Sequence, residues 1–217
     1  MRTDSHWRIP TSTLLWLKKV PADRPVALLL RHSVREPLPL NESCYHVPII
    51  PEGRKLAIEL GKQLSSRLKT LHSSPLLRCI QTSEALREGS GVEINIFPDR
   101  LLGDPGVYVL DDQQAGQHWQ EQGHESMMLF LVNSEQVLSG MENPAFAAHL
   151  LVQHMLNITG TEAGIHVFVT HDSLVAATAL RLLKQKITQY QCPEYLEGVF
   201  FWHEQQTICT AYRNYCY

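Results

Sequence analysis

Two apolar runs of strand length constrain the fold of this chain most: Val26-Ala27-Leu28-Leu29-Leu30 and the segment Ile165 to Thr170. Neither alternates apolar with polar residues, as a strand with one wet face would. They suit strands covered by helices on both faces. Helical patterns lie between them. Leu56, Leu60, Leu64 and Leu68 recur every fourth residue, with Lys55, Glu59, Lys62 and Arg67 off that stripe. Pro51-Glu52-Gly53 opens this helix, and Pro75 suits the first turn of another over 76–87, ended by Gly89 and Gly91. Further helices are expected over 13–19, 125–138, 144–157 and 173–186. Strands are expected over 70–74 and 92–97, and a hairpin from 198–202 and 207–213. Residues 36–51, with four prolines, and 99–123, rich in Gly, Asp and Gln, read as loops. Strands alternating with helices predict an α/β protein, a three-layer α/β/α sandwich with a mainly parallel sheet.

At 217 residues the chain is expected to form one domain, 1–217, with 104–160 as a cap or lid segment. Hydrophobic content of 44% can supply a full core, and a net charge of -3 without a long basic run weighs against a nucleic-acid partner. No stretch approaches the roughly 20 apolar residues of a membrane span. Met1 to Val20 carries Asp4, His6 and Arg8 and has no apolar h-region, so no signal peptide is expected. The five cysteines, Cys44, Cys79, Cys192, Cys209 and Cys216, include no C-x-x-C pair. They suggest neither a disulfide framework nor a zinc site, and reduced thiols in a cytoplasm are expected. His46, His118, His124, His149, His154, His166 and His203 show no metal-ligand spacing, so no metal or other cofactor is expected.

Polar residues gather where the predicted strands end. Arg31-His32-Ser33-Val34-Arg35 follows the first apolar run, Ser73-Ser74-Pro75-Leu76-Leu77-Arg78 follows the second strand, and His171-Asp172 follows Val167-Phe168-Val169-Thr170. In open α/β sheets a ligand sits beyond the carboxyl ends of the strands. Arg31, Arg35 and Arg78 offer planar, bidentate donors suited to phosphoryl oxygens. Taken singly these residues have plain structural roles: an arginine in a salt bridge, a histidine satisfied in the core, Asp172 as a helix N-cap, Asp104 as a turn residue before Pro105. Their shared position at strand ends argues for a site.

The chain resembles the histidine phosphatase superfamily, which includes the phosphoglycerate mutases and the histidine acid phosphatases. Four segments carry the resemblance: Leu30 to Arg35, Pro51-Glu52-Gly53-Arg54, Ser73 to Thr82, and Thr170-His171-Asp172. The Ser-Ser-Pro-x-x-Arg-x-x-Gln-Thr string makes the set specific. The resemblance implies a phosphomonoesterase in which His32 attacks a phosphoryl group and water later hydrolyses the phosphohistidine. It implies a small-molecule phosphate ester as partner, with Arg31, Arg35 and Arg78 binding phosphate and His171 as the second imidazole. For the general acid it offers two residues: Asp172 directly after the second histidine, as in the acid-phosphatase branch, and Asp104, placed as in the mutase-like branch. The expectation leans to Asp172, because the adjacent histidine fixes its location. Ser33 departs from the glycine usual in the family. A mutase, or a phosphate-binding protein without turnover, are the rival readings.

Overall fold

The structure, a computed structural model, describes residues 7–38 and 44–217. Residues 39–43, the middle of the expected 36–51 loop, and residues 1–6 lie outside it. The elements in chain order are α1 (Thr11–Lys19), β1 (Pro25–Arg31), α2 (Pro51–Leu64), β2 (Leu68–Ser73), α3 (Leu77–Ser90), β3 (Ile96–Pro98), α4 (Asp112–Asn133), α5 (Pro144–Thr159), β4 (Gly164–Thr170), α6 (Asp172–Leu182), β5 (Gly198–Glu204), β6 (Thr207–Tyr212) and β7 (Tyr215–Cys216).

The sheet order is β3-β2-β4-β1-β5-β6-β7. β1 and β4 run side by side in parallel from Pro25 opposite Gly164 to Arg31 opposite Thr170. Val26 to Leu30 and Ile165 to Val169 are buried, as uninterrupted apolar strands require. One face carries Ala27, Leu29, Phe168, Val199 and Phe201 into a core completed by α4, α5 and α6. The other carries Leu28, Leu30, Val167, Val169 and Phe200 against α1, α2 and α3. The period of two therefore persists, with both sets of side chains dry.

The sheet is mixed where a mainly parallel one was expected. β3, β2, β4 and β1 pair in parallel, whereas β5, β6 and β7 add antiparallel. The cause is the path after α6. Residues 183–197 carry the chain back to the carboxyl end of β1, so that β5 enters with Gly198 opposite Leu30 and runs the other way. The same path lays Cys192, Pro193 and Tyr195 beside Arg31.

Three boundaries moved for identifiable reasons. α4 begins inside the expected 99–123 loop because Asp111 caps it, accepting from the Gln113 and Gln114 N–H groups. Gly123, at φ 78° and ψ 163°, then breaks that helix. α6 stops at Leu182, before Lys184 at φ 54°. The strand expected over 92–97 shortens to Ile96–Pro98 at the sheet edge.

Candidate active site

The carboxyl ends of three neighbouring strands meet at one point. The His32 N–H donates to Thr170 O at 2.9 Å, which prolongs the β1–β4 ladder by one residue, and Ser74 N–H donates to Val169 O at 2.9 Å. His32, Ser74 and His171 are thus placed by sheet hydrogen bonds. The turn after His32 is clamped from two helices. The Ser33 N–H donates to Thr82 Oγ1 at 3.0 Å, and Ser33 Oγ donates to Gly53 O at 2.7 Å. A Cβ at Gly53 would fall 2.4 Å from Val34 O, so glycine alone lets α2 approach this turn. Gln81 accepts the Ile49 N–H at 2.9 Å. Gly53 and the Gln81-Thr82 pair therefore hold the loop that presents His32. The hydroxyl of Ser33 is absorbed by the first turn of α2.

His32 is buried, with Nδ1 2.8 Å from Ser33 O. The carbonyl accepts, so Nδ1 carries the proton and Nε2 the lone pair. Arg78 Nε donates to that Nε2 at 3.2 Å. Burial holds the imidazole well below its ordinary value of 6.5, with further lowering by His171, Arg78 and Arg31 outweighing the Ser33 carbonyl. The ring is neutral near pH 7, with its free pair on the nitrogen that faces the arginine.

His171 lies 5.6 Å from His32 between ring centroids, edge to face. Arg78 Nη2 donates to its Nδ1 at 3.3 Å, and its Nε2 pairs with Ser74 Oγ at 3.0 Å. Burial, together with the arginines, pushes it down to about 3. One guanidinium thus bridges both imidazoles, while its Nη1 donates to Cys44 O at 2.8 Å. Cys79 behind this group is pushed up to about 12 by burial and stays a thiol.

Arg31 packs its guanidinium 4.2 Å from the Tyr195 ring centre and donates through Nη1 to Pro193 O. Its Nη2 is 3.8 Å from Asp172 Oδ2. Arg35 donates from Nη1 to Glu36 O at 2.7 Å. The Nε atoms of both arginines are buried without a partner among the described residues.

The two candidate acids sit differently. Asp172 opens α6 and is held by Arg31, by the Cys192 thiol at 3.2 Å and by His124 at 3.7 Å. Burial pushes its carboxyl up, but Arg31, Cys192, His124 and His171 together bring it below the usual carboxylate range. Its side chain makes no N-cap hydrogen bond; the cap residue of α6 is His171. Asp104, at φ 73°, lines a cleft together with Arg78, His171 and Ser173. Gly103 before it, at φ 145°, packs so closely that a Cβ would meet Ser74 Oγ at 2.6 Å and His171 Nε2 at 2.7 Å. The loop is anchored by Asp99, which accepts from Leu101 N–H and meets His154 Nε2 at 2.7 Å.

Sequence reasoning assigned no role to Gly103, Asp99 or Tyr195, which the structure places beside these residues. The Gly103-Asp104-Pro105-Gly106 turn carried a usable signal; Tyr195 carried none, since it reaches the site only through the course of 183–197. Among the described residues no cluster of His, Cys, Asp and Glu could hold a metal ion, and no helix is long and apolar enough to cross a membrane.

Two imidazoles and three arginines gather on the carboxyl side of this α/β/α sandwich, whose architecture is that of the phosphoglycerate mutase-like fold. The family model for the histidine phosphatase superfamily (branch 1) matches residues 28–197, and the chain belongs to that superfamily. Among solved structures, mycobacterial glucosyl-3-phosphoglycerate phosphatase in complex with inorganic phosphate is similar over 87% of this chain and 96% of its own, with a TM-score of 0.58 and 18% identity. A phosphoserine phosphatase of Entamoeba histolytica, in complex with phosphoserine, covers 86% of this chain and 94% of its own, at TM-score 0.56 and 16% identity. At these identities the likeness is one of fold. No curated protein sequence matches the chain.

Proposed function

We propose that the protein is a phosphomonoesterase working through a phosphohistidine on His32. The observation that carries this reading is Arg78, whose guanidinium joins His32 Nε2 and His171 Nδ1. It stands against both rings and supplies donors where the charge of a phosphoryl group bound to them would lie. The orphaned Nε atoms of Arg31 and Arg35 extend the same cradle. The N-terminus of α6, at His171 and Asp172, adds a dipole favourable to an anion.

The chemistry balances in two steps. The lone pair on His32 Nε2 forms the P–N bond as the ester P–O bond breaks, and a carboxylic acid protonates the departing oxygen. Water then forms a new P–O bond, gives its proton to that carboxylate and releases His32. A phosphoryl dianion between the rings favours protonation of His171, which then donates to a phosphoryl oxygen.

We assign the acid to Asp104 in preference to Asp172, against the leaning drawn from the sequence. Asp104 borders the cleft beside His171 and is paired only loosely, 3.8 Å from Arg100 Nη2. Asp172 is held as an anion by Arg31 and its neighbours, which suits orienting Arg31 and does not suit delivering a proton. The cap function expected for 104–160 is narrowed in this proposal to residues 104–133. α5 sits in the core against the sheet and serves as a layer helix.

The test is an acid quench with a labelled phosphate ester. Wild type should trap labelled protein, and His32→Ala should trap none and lose hydrolysis by roughly a thousandfold or more. Turnover in the variant, with no labelled wild type, would overturn the reading.

A further inference from the structure

The geometry points to a phosphate ester with an uncharged, apolar, ring-sized alcohol as the substrate of this site. The inference rests on the phosphatase reading above and concerns what lies beyond the phosphoryl cradle. A cleft of about 250 Å3 leads away from Arg78, His171 and Asp104. Its further walls are Leu76, Tyr108, Val109, Trp119, Leu131 and Leu174. Sites for drug-sized ligands run to roughly 300–1,000 Å3, so this one suits a group of about one ring.

Polar handles are few in it: beyond Arg78, Asp104 and His171, the described lining adds the Ser173 hydroxyl. The Tyr108 hydroxyl is already paired with Thr178 Oγ1 at 2.9 Å, which leaves its ring as the surface it can offer. Among the described residues that line it, Arg78 is the one arginine or lysine. Arg78 is taken by the phosphoryl group, and the Asp104 carboxyl offers no positive charge. A carboxylate or second phosphate on the alcohol would thus meet no free cation among the described lining residues, a costly burial. A sugar, with several hydroxyls around its ring, would find partners for only a few of them at Ser173, Asp104 and the Trp119 indole. A planar apolar group, in contrast, gains contact with Trp119, Tyr108 and the aliphatic wall. Trp119 belongs to the stretch of α4 before its break at Gly123, so this part of the helix sets the far wall.

The experiment compares benzyl phosphate, glycerol 3-phosphate, 3-phosphoglycerate and O-phosphoserine with the purified full chain. All are alkyl esters, so differences in leaving ability are small and binding of the alcohol decides. Benzyl phosphate should have kcat/KM about a hundredfold above 3-phosphoglycerate, the scale expected for burying one ring. Trp119→Ala should cut the benzyl to glycerol 3-phosphate ratio about tenfold or more, and Trp119→Phe should keep most of it; a ratio cancels general loss of folded protein. Similar kcat/KM across the panel, or preference for 3-phosphoglycerate with a ratio untouched by Trp119→Ala, would overturn this inference and leave the phosphatase reading standing. No turnover of any ester, with no labelled protein, would overturn both.

Discussion

At the scale of single residues, the site is organised around Arg78, whose three nitrogens reach His32, His171 and the Cys44 carbonyl. A planar fork can do this and a point charge cannot. Arg78→Lys should therefore lower kcat/KM for any ester by about a hundredfold or more, although charge is conserved; near-wild-type kinetics would remove Arg78 from the cradle. The acids separate by leaving group. Asp104→Asn should slow esters of poor alcohols far more than activated aryl phosphates, whose leaving group departs without a proton. Asp172→Asn should weaken both alike, because it releases Arg31 and touches no leaving oxygen. The reverse pattern in a two-substrate comparison would return the acid to Asp172. The meeting of His32 and His171 could be expected from the sequence because each directly follows a strand residue at the end of an apolar run; Arg78 reaches them from the first turn of α3. The difference between the acids was not legible, because it depends on Cys192 and His124, which are 20 and 48 residues away from Asp172 in sequence.

Among the elements, α2 and α3 show how closely the layer beside the site must pack. A Cβ at Gly89 would fall 1.9 Å from Ile58 O, and one at Gly61 would fall 2.3 Å from Leu86 O. Two glycines, one on each helix, let the backbones touch. The contact matters to the site because α2 carries Gly53 and α3 carries Arg78 and Thr82. In a free helix, Gly→Ala is worth about 1 kcal/mol of added stability. At Gly89 the clash with backbone should reverse the sign and leave Gly89→Ala net destabilised by about 1–3 kcal/mol. Gly116 in α4, where nothing lies within 4 Å of a new Cβ, is the control, and Gly116→Ala should stabilise by about 0.5–1 kcal/mol. Equal shifts in Tm for the two variants would refute the close-packing account. Gly89 looked in the sequence like the end of a helix, yet α3 continues through it to Ser90 and ends on Gly91 at φ 69°. Composition could not distinguish a glycine that stops a helix from one that brings two helices together. The strands were easier to read, since Val26 to Leu30 and Ile165 to Thr170 have one reading as apolar runs. The direction of β5 depended on the irregular 183–197 path, for which no local pattern exists.

For the whole molecule, the consequence of burying several neutral imidazoles is a stability that falls in mild acid. His32 lies well below 6.5, His171 is lowered to about 3, and His72, stacked between Phe97 and Phe168, is lowered to about 4. In each, burial is the largest cause. The unfolded chain titrates these groups near 6.5 and the folded chain only at lower pH. Between those limits unfolding takes up protons, so stability drops as pH falls below about 6.5 and is unaffected by these groups above it. Each contributes a slope of about 1.4 kcal/mol per pH unit, and three together at most about 4. The lowered Asp172 acts in the same direction, but only as pH nears the carboxylate range. His72 offers a clean separation from function, because it stands in the core with Nε2 buried and unpartnered among the described residues, away from the cradle. His166, also buried and lowered by burial, adds a fourth contribution, so His72→Phe should lower the acid slope by about a quarter while leaving ester hydrolysis at pH 7 as in wild type. Inorganic phosphate should blunt the loss further, since an anion between His32 and His171 favours their protonated forms in the folded state. Urea midpoints measured from pH 8 to pH 5, with and without phosphate, check all three statements. A midpoint that stays level from pH 6.5 to pH 5 would mean that His32 and His171 are charged in the folded protein, and His32 could not then serve as the nucleophile.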